Sequence, residues 1–169
     1  MRALSLALLF LMMAMSPASW AQAPATPADS AMKTFASSAE ITDLIAKAKA
    51  ERKEGQALVA ERILSLAPYR ATLEYRAALA PAAVHEKDAE LMMVLEGSGT
   101  ITTGGTLIDE KRTNQANLSG TGIAGGTAQA LVKGDVIIVP EMVPHQTKPA
   151  EGGVIVLMTF HVPRPVGWP

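Results

Sequence analysis

From Gln56 onward, apolar and polar residues alternate with a period of two, the mark of strands. Residues 57–66 and 69–78 read as two strands separated by Ala67 and Pro68. In the second, Ala71, Leu73 and Tyr75 alternate with Arg70, Thr72, Glu74 and Arg76. One apolar and one charged face predict a half-solvated antiparallel sheet. The alternative is a charged face lining a polar cavity, where Arg70 or Arg76 could hold an anionic substrate. Residues 91–95 are apolar on both alternating faces, so a strand covered on both sides is expected there, ended by Gly97 and Gly99. Residues 100–103 continue as a further strand up to the Gly104–Gly105 turn. Residues 107–126 are polar and rich in glycine, and predict one short strand inside a longer loop at a pocket mouth. Short strands follow at 128–132, between Gly134 and Pro140, and at 154–161. Pro163, Pro165 and Pro169 keep the tail extended and out of a central ladder.

Upstream of Gln56 the period changes. Residues 38–55 predict one helix that packs on the outside of the sheet structure. Ser37 is its N-cap and Glu40 completes a capping box; Ile41, Leu44, Ile45 and Ala48 share a face, and Gly55 is the stop. Residues 22–37, rich in Ala, Pro, Thr and Ser, read as a flexible leader. Residues 1–21 read as a secretory signal peptide. Arg2 supplies the positive end, residues 3–15 are apolar but shorter than the about 20 needed to span a bilayer, and cleavage before Gln22 fits the small residues there. A periplasmic protein, with no membrane attachment once the signal is removed, is the expectation.

Composition narrows the function classes. The 169 residues contain no cysteine, which excludes disulfides, thiolate metal sites and a cysteine nucleophile. Fifteen basic residues nearly balance sixteen acidic ones with no basic block, so nucleic acid is not an expected partner. Many short strands, glycine and proline turns and no internal repeat predict an all-β fold over residues 56–169: one barrel or double-sheet jelly roll with an N-terminal helix.

Two segments carry candidate chemistry. His85 lies in a polar turn and Glu90 opens the apolar run that follows. A carboxylate at the mouth of a covered strand is costly unless paired, hydrogen-bonded or bound to a cation. His145 follows a turn stiffened by Pro140 and Pro144. Two histidines and one carboxylate suit Fe(II), and Mn, Ni or Zn also fit such donors. The simpler reading makes His85 a turn histidine, Glu90 a carboxylate bonded to backbone, and His145 a satisfied loop histidine. His161, in phase with Ile155, Leu157 and Thr159, reads first as a strand-end residue and second as a substitute ligand.

These segments resemble the two motifs of the cupin superfamily. The first family motif is His-x-His, three or four residues, Glu, six residues, Gly; here His85, Glu90 and Gly97 keep the spacing, and Ala83 stands in place of the first histidine. The second is Gly, five residues, Pro-x-Gly, two residues, His; here Gly134, Pro140 and His145 keep the spacing, and Met142 stands in place of the glycine. The resemblance implies a cupin-like β-barrel in which His85, Glu90 and His145 point into one end as ligands of a divalent metal. Glu90 is then also the candidate catalytic base. It implies a metal-dependent enzyme of dioxygenase, isomerase or lyase type acting on a small organic molecule. The alternative is a sugar- or metabolite-binding barrel that has lost its metal, as the Ala83 substitution suggests. Cupin barrels frequently pair, so a homodimer is expected.

Overall fold

The computed structural model describes residues 32–165 and residue 167. The expected signal peptide and residues 22–31 of the expected leader lie outside the described residues. Helix α1 (Ser38–Glu51) begins where Ser37 accepts a hydrogen bond from the Glu40 amide at 3.2 Å. It ends earlier than expected. Arg52 already has extended dihedrals, and its guanidinium turns to the Gln56 carbonyl at 2.8 Å, so Gly55 lies in the turn beyond the helix.

Twelve strands follow: β1 (Leu58–Leu66), β2 (Tyr69–Arg76), β3 (Ala82–His85), β4 (Asp88–Thr103), β5 (Thr106–Ile108), β6 (Lys111–Asn114), β7 (Asn117–Gly120), β8 (Gly122–Ala124), β9 (Thr127–Val132), β10 (Val136–Val139), β11 (His145–Pro149) and β12 (Ile155–Pro163). Ten form one curled antiparallel sheet in the order β1-β2-β12-β4-β11-β3-β7-β6, with β9 and β10 also paired to β4; β5 and β8 pair separately. The fold is the expected cupin-like β-barrel with an N-terminal helix.

Strand β4 organises the barrel. Its first half pairs with β12 and β10, its second with β11 and β9. Gly97 and Gly99 do not end this strand, as the sequence suggested, but let it pass from one half to the other. Gly97 has φ +75°, and a Cβ there would lie 1.9 Å from the Val154 carbonyl oxygen; one at Gly99 would lie 2.4 Å from that of Lys148. Close backbone approach, not chain reversal, requires these glycines.

Two cores lie on opposite faces of the β1-β2-β12-β4 sheet. Met92, Val94, Ile155 and Leu157 pack inside the barrel against Ile101, Leu131 and Val139. Ile63, Ala71, Leu73, Tyr75 and Val156 pack outside it, with Ala48, Ile41, Leu44 and Ile45 of α1 over them. The helix therefore covers the apolar face of β2. The charged face of β2 turns toward the interior side, since Thr72, Glu74 and Arg76 stand in register with Thr159, Leu157 and Ile155 of β12. It is not the solvated face expected: Glu74 and Arg76 form an ion pair at 2.6 Å with only 13% of each side chain exposed.

Residues 107–126 also depart from expectation. They hold most of four short strands, not one. Asn114 and Asn117 are paired at the tip of the β6–β7 hairpin, and β5 pairs with β8 around it. Polar side chains hid the nesting, because the pairing runs through backbone groups that the hydrophobic pattern does not report.

Candidate metal centre

The three predicted site residues converge. β3 delivers His85, β4 delivers Glu90, and β11 opens with His145. His145 stands opposite Ala83 in register, so His85, two residues along β3, shares its face. The loops are tied together as well, since the Met142 amide donates to the His85 carbonyl at 2.9 Å. Glu90 and His145 are almost closed off, with side chains 4% and 6% exposed, and His85 at 17% is nearer the opening.

Both imidazoles address one oxygen. His145 Nε2 lies 2.9 Å from Glu90 Oε2, and His85 Nε2 lies 3.3 Å from the same atom. Their other nitrogens are committed elsewhere. His145 Nδ1 donates to the Val143 carbonyl at 3.2 Å, and His85 Nδ1 donates to Asn117 Oδ1 at 2.8 Å. A neutral imidazole protonated at Nδ1 carries a lone pair at Nε2. Two such lone pairs facing a carboxylate repel it, unless a proton or a cation lies between. In the metal-free protein a proton on His85 takes this part for that ring. Burial alone would push Glu90 up, but hydrogen bonds and charge attraction from His145 and His85 hold its carboxyl well below the usual range. Burial opposes a charged His85, and its bonds to Glu90 and Asn117 outweigh that and raise it.

Each histidine–glutamate pair has a ligand spacing, and the donor atoms that all lie within 4.8 Å of one another are those of His85, Glu90 and His161. Ligands at right angles about 2.1 Å from an ion stand about 3 Å apart, and the two Nε2 to Oε2 separations bracket that value. Hydrogen bonds from both Nδ1 atoms supply the outer partners that ligating histidines need.

A fourth residue joins them. His161 on β12 is the direct cross-strand partner of Glu90. Its ring is 4.6 Å from that of His85, edge to face, and its Nε2 is 3.8 Å from Glu90 Oε1. Burial pushes its pKa down to about 4, against the attraction of Glu90. The phase of His161 with Ile155, Leu157 and Thr159 was the sequence signal for this placement. Asn117 carried none, because its role depends on register with His85 across β3 and β7.

The methionines of the first motif divide. Met92 faces the interior core, while Met93 lies on the outer face of β4, beside Val136 of β10.

The fold is that of a cupin-like β-barrel. No sequence-family profile matches the chain, and no curated protein matches it. Among solved structures, the Bacillus halodurans protein BH2720 is similar with a TM-score of 0.53 at 12% identity, over 81% of this chain and 86% of that one. A cupin superfamily protein from Desulfitobacterium hafniense is similar at TM-score 0.48 and 16% identity, over 68% of this chain and 84% of that one. The cupin domain of Cnp3 from Schizosaccharomyces pombe is similar at 0.48 and 16%, over 64% of this chain and 63% of that one. The likeness to BH2720 concerns the fold.

Proposed function

We propose that this chain is a metal-dependent enzyme of the cupin type, holding one divalent ion on His85, Glu90 and His145 and acting on a small organic molecule. One observation carries the reading: two histidines present Nε2 to a single buried carboxylate oxygen while both their Nδ1 protons are held by other acceptors. When bound, Fe, Mn, Ni or Zn supplies Lewis acidity or, for iron, oxygen activation. The chain supplies the rest. Glu90 offsets the positive charge, Asn117 and the Val143 carbonyl hold the rings in one tautomer, and the burial of Glu90 and His145 keeps bulk water from them. In the metal-free state Glu90 stays ionised beside two imidazoles, which suits a carboxylate that balances the charge of a cation.

The substitution at Ala83 supports a second reading, a barrel that binds its small ligand without metal. The apolar run after Arg2 supports export, with the mature chain periplasmic and free of membrane. Pairing of two barrels is supported by an exposed apolar strip of Val136 and Ile138 on β10 and Met93 on β4.

Elemental mass spectrometry on untagged protein, beside Glu90→Gln and His145→Ala variants, tests the metal. Near-stoichiometric metal in the parent and its loss in both variants is expected. Absence of metal after soaking with Fe(II), Mn(II), Ni(II) and Zn(II) would overturn the enzyme reading in favour of the binding one.

A further inference from the structure

The family's first histidine position is Ala83, yet the site is not short of imidazoles. Three buried or half-buried histidine rings surround one glutamate, and these are all the histidines the chain has. His161 has the poorest account in a metal-free protein. It is 8% exposed, and its Nδ1 is buried with no hydrogen-bond partner. A buried imidazole nitrogen without a partner is costly, so the position calls for an explanation. No hydrogen bond holds its other nitrogen, which lies 3.8 Å from Glu90 Oε1. The other two rings address Glu90 Oε2, so His161 faces the oxygen they leave free. Donor atoms of His85, Glu90 and His161 all lie within 4.8 Å of one another, a grouping that His145 joins through Glu90 Oε2.

We infer that His161 is a metal ligand through Nε2, supplied by the last strand in place of the imidazole that Ala83 lacks. The exchange is sterically coherent. Ala83 stands opposite His145 on one side of the site, and His161 stands opposite Glu90 on the other. The methyl group of Ala83 leaves room on its own face, and the missing donor enters from the facing wall. The first coordination set becomes three histidines and one glutamate, contributed by β3, β4, β11 and β12. Asp88 completes the arrangement. Its Oδ2 is 3.8 Å from His161 Nδ1, the nearest carboxylate to the orphaned nitrogen. A small turn of the ring toward the ion brings Nδ1–H within reach of Asp88, the carboxylate–histidine pairing typical of ligating imidazoles. Asp88 is thus a positioning residue and not a ligand.

The inference rests on the metal-centre reading above, and one experiment separates the two. Metal-free protein is titrated calorimetrically with zinc chloride and with manganese chloride, and its cobalt(II) complex is examined by visible absorption. Parent, H161Q, D88N, A83H and the A83H/H161Q double variant are compared, after circular dichroism has shown each to be folded. Loss of one outer partner typically weakens metal binding about 10–100-fold, so D88N should weaken it about tenfold or more and H161Q, which removes a ligand, by more than D88N. The cobalt bands should shift in H161Q, and A83H should restore both affinity and spectrum in the H161Q background. Equal affinity in parent and H161Q overturns the assignment, as does weakened binding that A83H leaves unrestored. A parent that binds none of these ions fails earlier, at the metal centre itself, and takes this inference with it.

Discussion

The backbone amide of Met142 donates to the backbone carbonyl of His85 at 2.9 Å, joining the two motif loops directly. To place that amide, Met142 adopts φ +64°, a left-handed conformation that β-carbons disfavour. This is where the family motif has glycine. The methionine carries a backbone strain of about 1–2 kcal/mol that glycine would not.

Met142→Gly should therefore raise thermal stability, by up to about 1 kcal/mol once the added freedom of glycine in the unfolded chain is counted. The side chain is well exposed, so its removal costs little packing. Differential scanning calorimetry of the metal-free proteins decides it. A clear fall in melting temperature would mean that the Met142 side chain contributes more than the turn geometry does.

Gly97→Ala should do the opposite. The new methyl group would meet the Val154 carbonyl at 1.9 Å, in a left-handed backbone as well. A loss of about 2–5 kcal/mol is expected, from combined clash and dihedral strain, and urea denaturation would measure it.

Asn117→Ala should leave the fold intact and weaken the centre. The variant frees His85 Nδ1 and lets the ring rotate away from Glu90. Zinc affinity should fall about 10–100-fold with little change in the metal-free melting temperature. Unaltered affinity would show that backbone geometry alone fixes the His85 ring.

The metal-free protein should lose stability as pH falls from 6.5 to 4. Over that window the unfolded chain protonates His161, while the folded chain holds it neutral down to about 4. Proton uptake then favours the unfolded state. Glu90 adds a second loss below its ordinary value of 4.5, because its folded carboxyl titrates lower still. His85 is raised and has the reverse sign. Its contribution is complete below 6.5 and is lost as pH rises through its folded value. Urea midpoints at several pH values, compared between parent and His161→Asn, test the assignment. Parallel pH profiles for the two proteins would remove His161 from it.

The sequence made His85, Glu90 and His145 legible because motif spacing and strand period are local. Each sits a fixed number of residues from a turn, and the turn sets its face. His161 and Asn117 were harder to read, since each matters through the residue it stands opposite, and cross-strand register is not written in any one segment. Alternation in β2 correctly separated Ala71, Leu73 and Tyr75 from Arg70, Thr72 and Glu74. It could not say which set faces inward, because the helix turned an apolar outer face into a second core. Gly97 and Gly99 were correctly marked as special positions. A glycine needed for close approach looks the same in sequence as one needed for reversal.

Strand β12 lies between β2 and β4, though it follows every other strand in the chain. On a ribosome, β2 and β4 therefore emerge with a gap between them that only the latest segment can fill. A nascent chain stopped before Ile155 can form the β1–β2 hairpin but cannot seat α1 on the finished sheet or close the barrel. This order of assembly leaves the barrel open until β12 is available, a non-local pairing of the kind that slows folding.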